Sequence, residues 1–168
     1  MSNVALKRMY VESLFTMVFG TDIHKCKNIR RQMQSVVYLL QELGVNLDYL
    51  FTWRSKFLAP FSSELAADMH NAFYVPVDKQ IVFADEVLRV VAKVKRIFVE
   101  KCPADVDLVY WCMFIVSLYH TAKYRLDRVD KINAVYRYAE TLTAAGVEFD
   151  NNVLHKAYTT LETELNNI

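Results

Sequence analysis

The sequence predicts a mainly α fold, with about seven helices in one compact domain and one short β element. Three observations carry this. Apolar residues recur at spacings of three and four through most of the chain. Only three glycines and three prolines interrupt its 168 residues, which favours long regular elements over elaborate loops. One stretch, residues 45–53, shifts to a period of two with aromatic enrichment, as a half-buried strand does.

The first helix covers about 4–19 and is apolar on most sides, through Leu6, Met9, Tyr10, Leu14, Met17 and Val18. The second opens at Asp22, whose carboxylate suits an N-cap. It closes at Gly44, where a left-handed residue can end a helix. Its buried stripe is Ile29, Met33, Val36, Leu40 and Leu43, and Lys27, Arg30, Arg31 and Gln34 fall opposite. Val45, Leu47, Tyr49, Phe51 and Trp53 then alternate with Asn46, Asp48, Leu50, Thr52 and Arg54. At most a small hairpin is expected, around 45–57. Pro60 ends the extended stretch, and Ser62 or Ser63 can cap a third helix over 63–73 that buries Leu65, Met69 and Phe73.

After the break at 74–78, a fourth helix over about 84–101 buries Val87, Val90, Val91, Val94, Ile97 and Phe98. Pro103 ends it. Asp105 starts the fifth, whose apolar run 108–119 reads as a central buried helix with Trp111, Phe114, Ile115 and Leu118 deepest. Asp127 starts the sixth, with Val129, Ile132, Val135, Tyr136, Ala139 and Leu142 on one face and Gly146 as its stop. Asp150 or Asn151 starts the seventh, with Val153, Leu154, Ala157, Tyr158, Leu161 and Leu165 inward. No internal repeat, low-complexity segment or linker divides the chain, so 1–168 reads as a single helical domain.

Composition narrows the function classes. At 54% hydrophobic, with ten Tyr and ten Phe, the chain can bury a sizeable core. A formal charge of +1 gives no global signature of a nucleic-acid or membrane binder. The charge is uneven, however. Residues 1–60 hold eight Lys/Arg against four Asp/Glu, and residues 139–168 hold one Lys against five Asp/Glu. A basic front and an acidic tail suit an anionic partner or head-to-tail self-association, and a solvated surface accounts for them equally well. The run 108–119 is too short to span a bilayer, and no secretory signal is visible. Three cysteines without close spacing fit a reduced, cytoplasmic setting.

Residues 36–65 carry an ordered set of features. Val37-Tyr38 stands near the end of a helix. The aromatic segment Tyr49-Leu-Phe-Thr-Trp53 follows, and then Ala59-Pro-Phe-Ser-Ser-Glu-Leu65. This order resembles the YwgA-like family of small bacterial and archaeal proteins, and more distantly the Panacea/SocA-type antitoxin domain. The tail is similar too, with a short Phe149-Asp150 loop before a last helix containing Ala157-Tyr158. The likeness places the signature at 30–73 and the helical C-terminal half at 105–168. Ala59 stands where relatives usually carry Gly, and Ser35 where many carry Lys. No strand pair follows the third helix to form a wing. The resemblance implies a small cytosolic partner-binding protein, in some cases tied to toxin–antitoxin or phage–host conflict loci.

No catalytic residue, metal ligand set or cofactor is assigned. His24 with Cys26, or Cys102, Cys112 and His120, lack the paired spacing of a zinc site. Ser62 or Ser63 with Asp68 and His70 crowd one helix start, where a nucleophile and its base do not easily converge. Glycine poverty excludes phosphate loops. What remains is cationic and aromatic surface. Lys27, Arg30 and Arg31, together with Trp53, Arg54, Lys56, Phe57, Leu58 and Phe61, form the expected partner-binding surface. Arg89, Lys93 and Arg96, at i, i+4 and i+7, form the alternative face for nucleic acid or protein. The expected role is a non-catalytic regulator that binds a protein, with a DNA-binding regulator or antitoxin as the alternative and a second copy of the chain as a further candidate partner. An enzyme is the least favoured class.

Overall fold

The computed structural model describes residues 3–70, 81–125 and 133–166. Within them run α1 (Asn3–Phe19), α2 (Ile29–Glu42), β1 (Thr52–Arg54), β2 (Ala59–Phe61), α3 (Ser63–His70), α4 (Asp85–Lys95), α5 (Leu108–His120), α6 (Ala134–Ala144) and α7 (Asn151–Leu165). The fold is mainly α, as the periodicity predicts. Buried apolar side chains from all seven helices join in one cluster. At its centre lies α5, packed against α2, α6, α7 and β2. Trp111, Ile115 and Leu118 are fully buried there, and Phe114 nearly so. The Trp111 indole N–H donates to the Ile97 carbonyl at 2.9 Å, so the buried polar atom is satisfied.

Local signals set most boundaries. Gly44 and Gly146 have φ of 105° and 71°, the left-handed geometry that a helix stop requires. Asp150 caps α7 by accepting from the Asn152 amide at 2.8 Å. The Ser62 hydroxyl caps α3 by accepting from the Leu65 amide at 3.2 Å. Two acidic caps differ from expectation. Asp107 rather than Asp105 caps α5, accepting from the Val109 and Tyr110 amides. The second helix starts at Ile29, not after Asp22, because residues Ile23–Lys25 close a separate tight 3₁₀ turn. Both α4 and α5 run on into wider π-helical turns, Arg96–Glu100 and Thr121–Arg125.

Two faces also depart from the sequence reading. In α1, Leu6 and Met17 are exposed, while Val11 and Phe15 take the inward positions. In α6, Tyr136 is 61% exposed and Tyr138 is buried in its place, because the inward row is Ala134, Val135, Tyr138 and Leu142. Phe73, Asp127, Val129 and Ile132, and the segment where a wing was sought, lie outside the described residues.

The period-two stretch divides. Burial alternates from Val45 to Leu50 as expected, yet 45–51 pairs with no strand among the described residues. The Gln41 side chain serves instead. It accepts from the Tyr49 amide at 2.8 Å and donates to the Tyr49 carbonyl at 2.9 Å. The hairpin lies further on, with Thr52 opposite Phe61, Trp53 opposite Pro60 and Arg54 opposite Ala59. Its turn places Leu58 at a positive φ of 54°.

Candidate functional site

The hairpin turn, the first half of α2, α3 and the start of α5 enclose a cleft of about 780 Å³. Each wall follows from local structure. Ile29 and Met33 sit one turn apart on α2, with Arg30 and Arg31 beside them at the mouth. Leu65 and Met69 repeat that spacing on α3. Tyr110 and Met113 come from α5, and Phe57, Leu58 and Phe61 from the hairpin. The Phe57 and Phe61 rings stack with centroids 4.5 Å apart, so the turn presents one flat aromatic wall. Thioether side chains from three helices line the cleft, and such unbranched, polarisable groups adapt to varied apolar shapes.

The turn is held rigidly. A leucine at positive φ is strained and persists only when its surroundings impose it. Here the Leu58 carbonyl accepts from the Ser117 hydroxyl at 3.0 Å and from the Tyr138 hydroxyl at 3.1 Å. Burial raises the Tyr138 pKa, which keeps that hydroxyl a neutral donor. Gln34 fixes the far end. Its side chain donates to the Ser62 carbonyl at 2.9 Å and accepts from the Ser62 amide at 2.8 Å.

Arg30, Arg31, Lys56 and His70 are among the described lining residues. Six residues of the expected binding surface therefore come together: Arg30, Arg31, Lys56, Phe57, Leu58 and Phe61. Three do not. Lys27 precedes the late start of α2 and stands apart from the Arg30–Arg31 row. Arg54 is exposed at the end of β1 and is not among the lining residues. Trp53 points to the opposite side of the hairpin, because successive strand residues alternate.

On that side Trp53 enters an aromatic and polar knot. Its ring stacks on His120 with centroids 5.8 Å apart, and the Arg125 guanidinium lies 4.6 Å over it. The Tyr38 hydroxyl and His120 Nδ1 share a hydrogen bond of 3.0 Å. Glu42 accepts from Lys123 Nζ at 2.8 Å and from the Tyr124 hydroxyl at 2.9 Å. Burial, then the Arg125 charge, lower the His120 pKa against a smaller opposing pull from Glu42. Burial works against the Lys123 ammonium, but its hydrogen bonds to Glu42 and Tyr119 prevail and raise its pKa.

The alternative cationic face is partly neutralised. Arg96 Nε lies 2.6 Å from Glu164 Oε2, and Lys101 lies 4.0 Å from the same carboxylate. Arg89 is exposed and Lys93 half-buried on α4. Other candidates for chemistry have separate tasks. Cys26 Sγ donates to Gln32 at 2.6 Å, Cys112 is fully buried, and Asp68 accepts from the Tyr49 hydroxyl at 2.9 Å. Among the described residues, no three His, Cys, Asp or Glu side chains group to hold a metal, and no helix is long and apolar enough to cross a membrane.

Sequence reasoning missed Tyr110, Met113 and Val147 in the cleft, and the pairing of Trp53 with His120. Met113 sits inside an unbroken apolar run, where nothing local marks a residue that stays uncovered. The chain matches no family model, no curated protein and no solved structure.

Proposed function

We propose that this chain is a non-catalytic binding protein that recognises another protein through the cleft between α2, α3 and the hairpin. One observation carries the reading: a largely apolar cleft of about 780 Å³ brings Phe57, Leu58, Phe61 and three methionines together with Arg30, Arg31 and Lys56. Concave apolar surfaces with a few fixed polar groups are the usual form of a recognition site, and exposed aromatic and arginine side chains are typical anchors of protein interfaces. The family resemblance is in keeping with a regulator that acts by such binding, including in phage–host conflict.

A nucleic-acid partner is the second reading, favoured by exposed Arg89 and the adjoining Lys93. It is weakened where Glu164 occupies Arg96.

The test is affinity capture from native lysate with wild-type protein and with Phe57→Ser/Leu58→Ser. Captured proteins are then identified by mass spectrometry and their affinities measured. The expected result is a protein retained by wild type and lost by the variant, which keeps its helical circular dichroism. A partner that binds both with equal affinity would remove the cleft from the reading. A DNA duplex whose affinity falls steeply with salt would instead support the second reading.

A further inference from the structure

We infer that the outward face of α1 binds the same face of a second copy of this chain, making a weak two-fold dimer. The inference goes beyond the cleft reading and does not depend on it. Three observations carry it.

The first is a helix with two apolar sides. Inward, α1 buries Val11, Leu14, Phe15 and Val18. Outward, Leu6 is 43% exposed and Met17 37%, with Tyr10 and Ser13 half-buried between them. These four stand at i, i+4, i+7 and i+11, a narrow stripe with the spacing of a helix–helix seam. A helix that is apolar all round belongs between two layers. Among the described residues, α2, α3 and α4 supply one layer, and the row from Leu6 to Met17 lies on the other side.

The second is self-complementarity. In a two-fold contact, if residue i meets residue j, then j meets i. Two antiparallel copies of α1 satisfy this about a point between residues 11 and 12. Leu6 then meets Met17 of the second copy, and Tyr10 meets Ser13 of the second copy. The one ring of the stripe is set against its one small side chain at both crossings, so large and small groups interlock. A parallel pair would instead set Tyr10 on Tyr10 and leave a gap at Ser13.

The third is charge. The stripe contains none, and the charged residues of α1 are engaged within the chain. Lys7 lies 4.3 Å over the Tyr49 ring, donates to the Asp48 carbonyl at 3.2 Å and pairs with Glu64 at 3.7 Å. Arg8 pairs with Glu12 at 2.8 Å. Closing the seam therefore strands no α1 charge, the condition that most often penalises a buried contact.

The stripe is about 16 Å long. Phe83, whose ring centroid lies 5.5 Å from that of Tyr10, and its neighbour Val82, 93% exposed, broaden the patch. That places the contact at the small end of specific interfaces, so the dimer is reversible. No α1 residue lines the cleft, and the contact uses none of the cleft's residues.

The experiment is sedimentation equilibrium of the full chain from about 5 to 500 µM, which spans weak affinities. A monomer–dimer equilibrium is expected. Leu6→Glu/Met17→Glu should raise its dissociation constant about tenfold or more with helical circular dichroism unchanged, because both sites are exposed. Register is read separately. Leu6→Cys and Met17→Cys proteins, mixed and oxidised, should cross-link to each other, with peptide mapping placing the bond between positions 6 and 17. A monomer at every concentration, a dimer indifferent to Leu6→Glu/Met17→Glu, or links of 6 to 6 and 17 to 17 would each overturn the inference. If the double variant loses its helical signal, the cross-link alone decides.

Discussion

On its turn side the hairpin 52–61 leaves Phe57 40% exposed over an open cleft. On its strand side the same hairpin packs Trp53 against His120, with Arg125 over its ring. The two sides hold similar ingredients, aromatic rings and cations in reach of α5. They differ in what completes them. Beside Trp53, Lys123 finds Glu42, and Tyr38 finds His120. Around Phe57 the described lining is largely apolar, with Met33, Met69 and Met113 reaching it from three helices. One side is filled by its own side chains, and the other presents a concave apolar surface. This contrast is what motivates assigning recognition to the turn side.

The largest expected effect comes from removing the wall that both sides share. α5 lends Tyr110 and Met113 to the cleft and His120 to the knot, and Trp111 anchors it in the core. Trp111→Ala should cost about 3–5 kcal/mol, as a fully buried tryptophan truncation does, with the indole bond to the Ile97 carbonyl also lost. Urea titration checks this. Near-neutral stability would show that α5 is not the common support.

A sharper test sets the two sides against each other. Trp53→Ala should cost about 1–3 kcal/mol, below the fully buried range because the ring is only half-buried. Phe57→Ser should stay within about 0.5 kcal/mol, as surface changes usually do. Equal losses in thermal or urea unfolding would erase the distinction between a structural side and a binding side.

The smallest effect is a pH dependence confined to the knot. His120 meets Tyr38, Trp53 and Tyr124, with Arg125, Glu42 and Lys123 around it. Its folded-state pKa lies below the ordinary value, so the unfolded chain takes up a proton that the folded chain resists. Stability is therefore full above about pH 6.5. It declines as the pH falls from there toward the lowered value. The wild-type urea midpoint should drop between pH 8 and pH 5 by more than that of His120→Gln. Parallel curves for the two proteins would mean that the knot does not disfavour the imidazolium.

Much of the fold was legible because its signals are local. Helix periods, the stops at Gly44 and Gly146 and the cap at Asp150 depend on residues a few positions apart, and the backbone there obeys them. Even the burial of Val45, Leu47 and Tyr49 follows from alternation alone. The site was half legible. Arg30, Arg31, Lys56, Phe57, Leu58 and Phe61 could be singled out as cations and aromatics beside a turn. Lys27 and Trp53 looked like part of the same surface only because they are near in sequence.

What the chain determined by itself is where its helices run and the inward rows of α2, α5 and α7, since those follow from period and chemistry. What only tertiary structure decided is which apolar face stays open. Gln41 replaced a strand partner for Tyr49. Met113 arrived beside Phe57, and His120 beside Trp53, across more than fifty residues of chain. A period marks a face as apolar, but whether another element covers it depends on long-range packing around α5, and no local spacing records that.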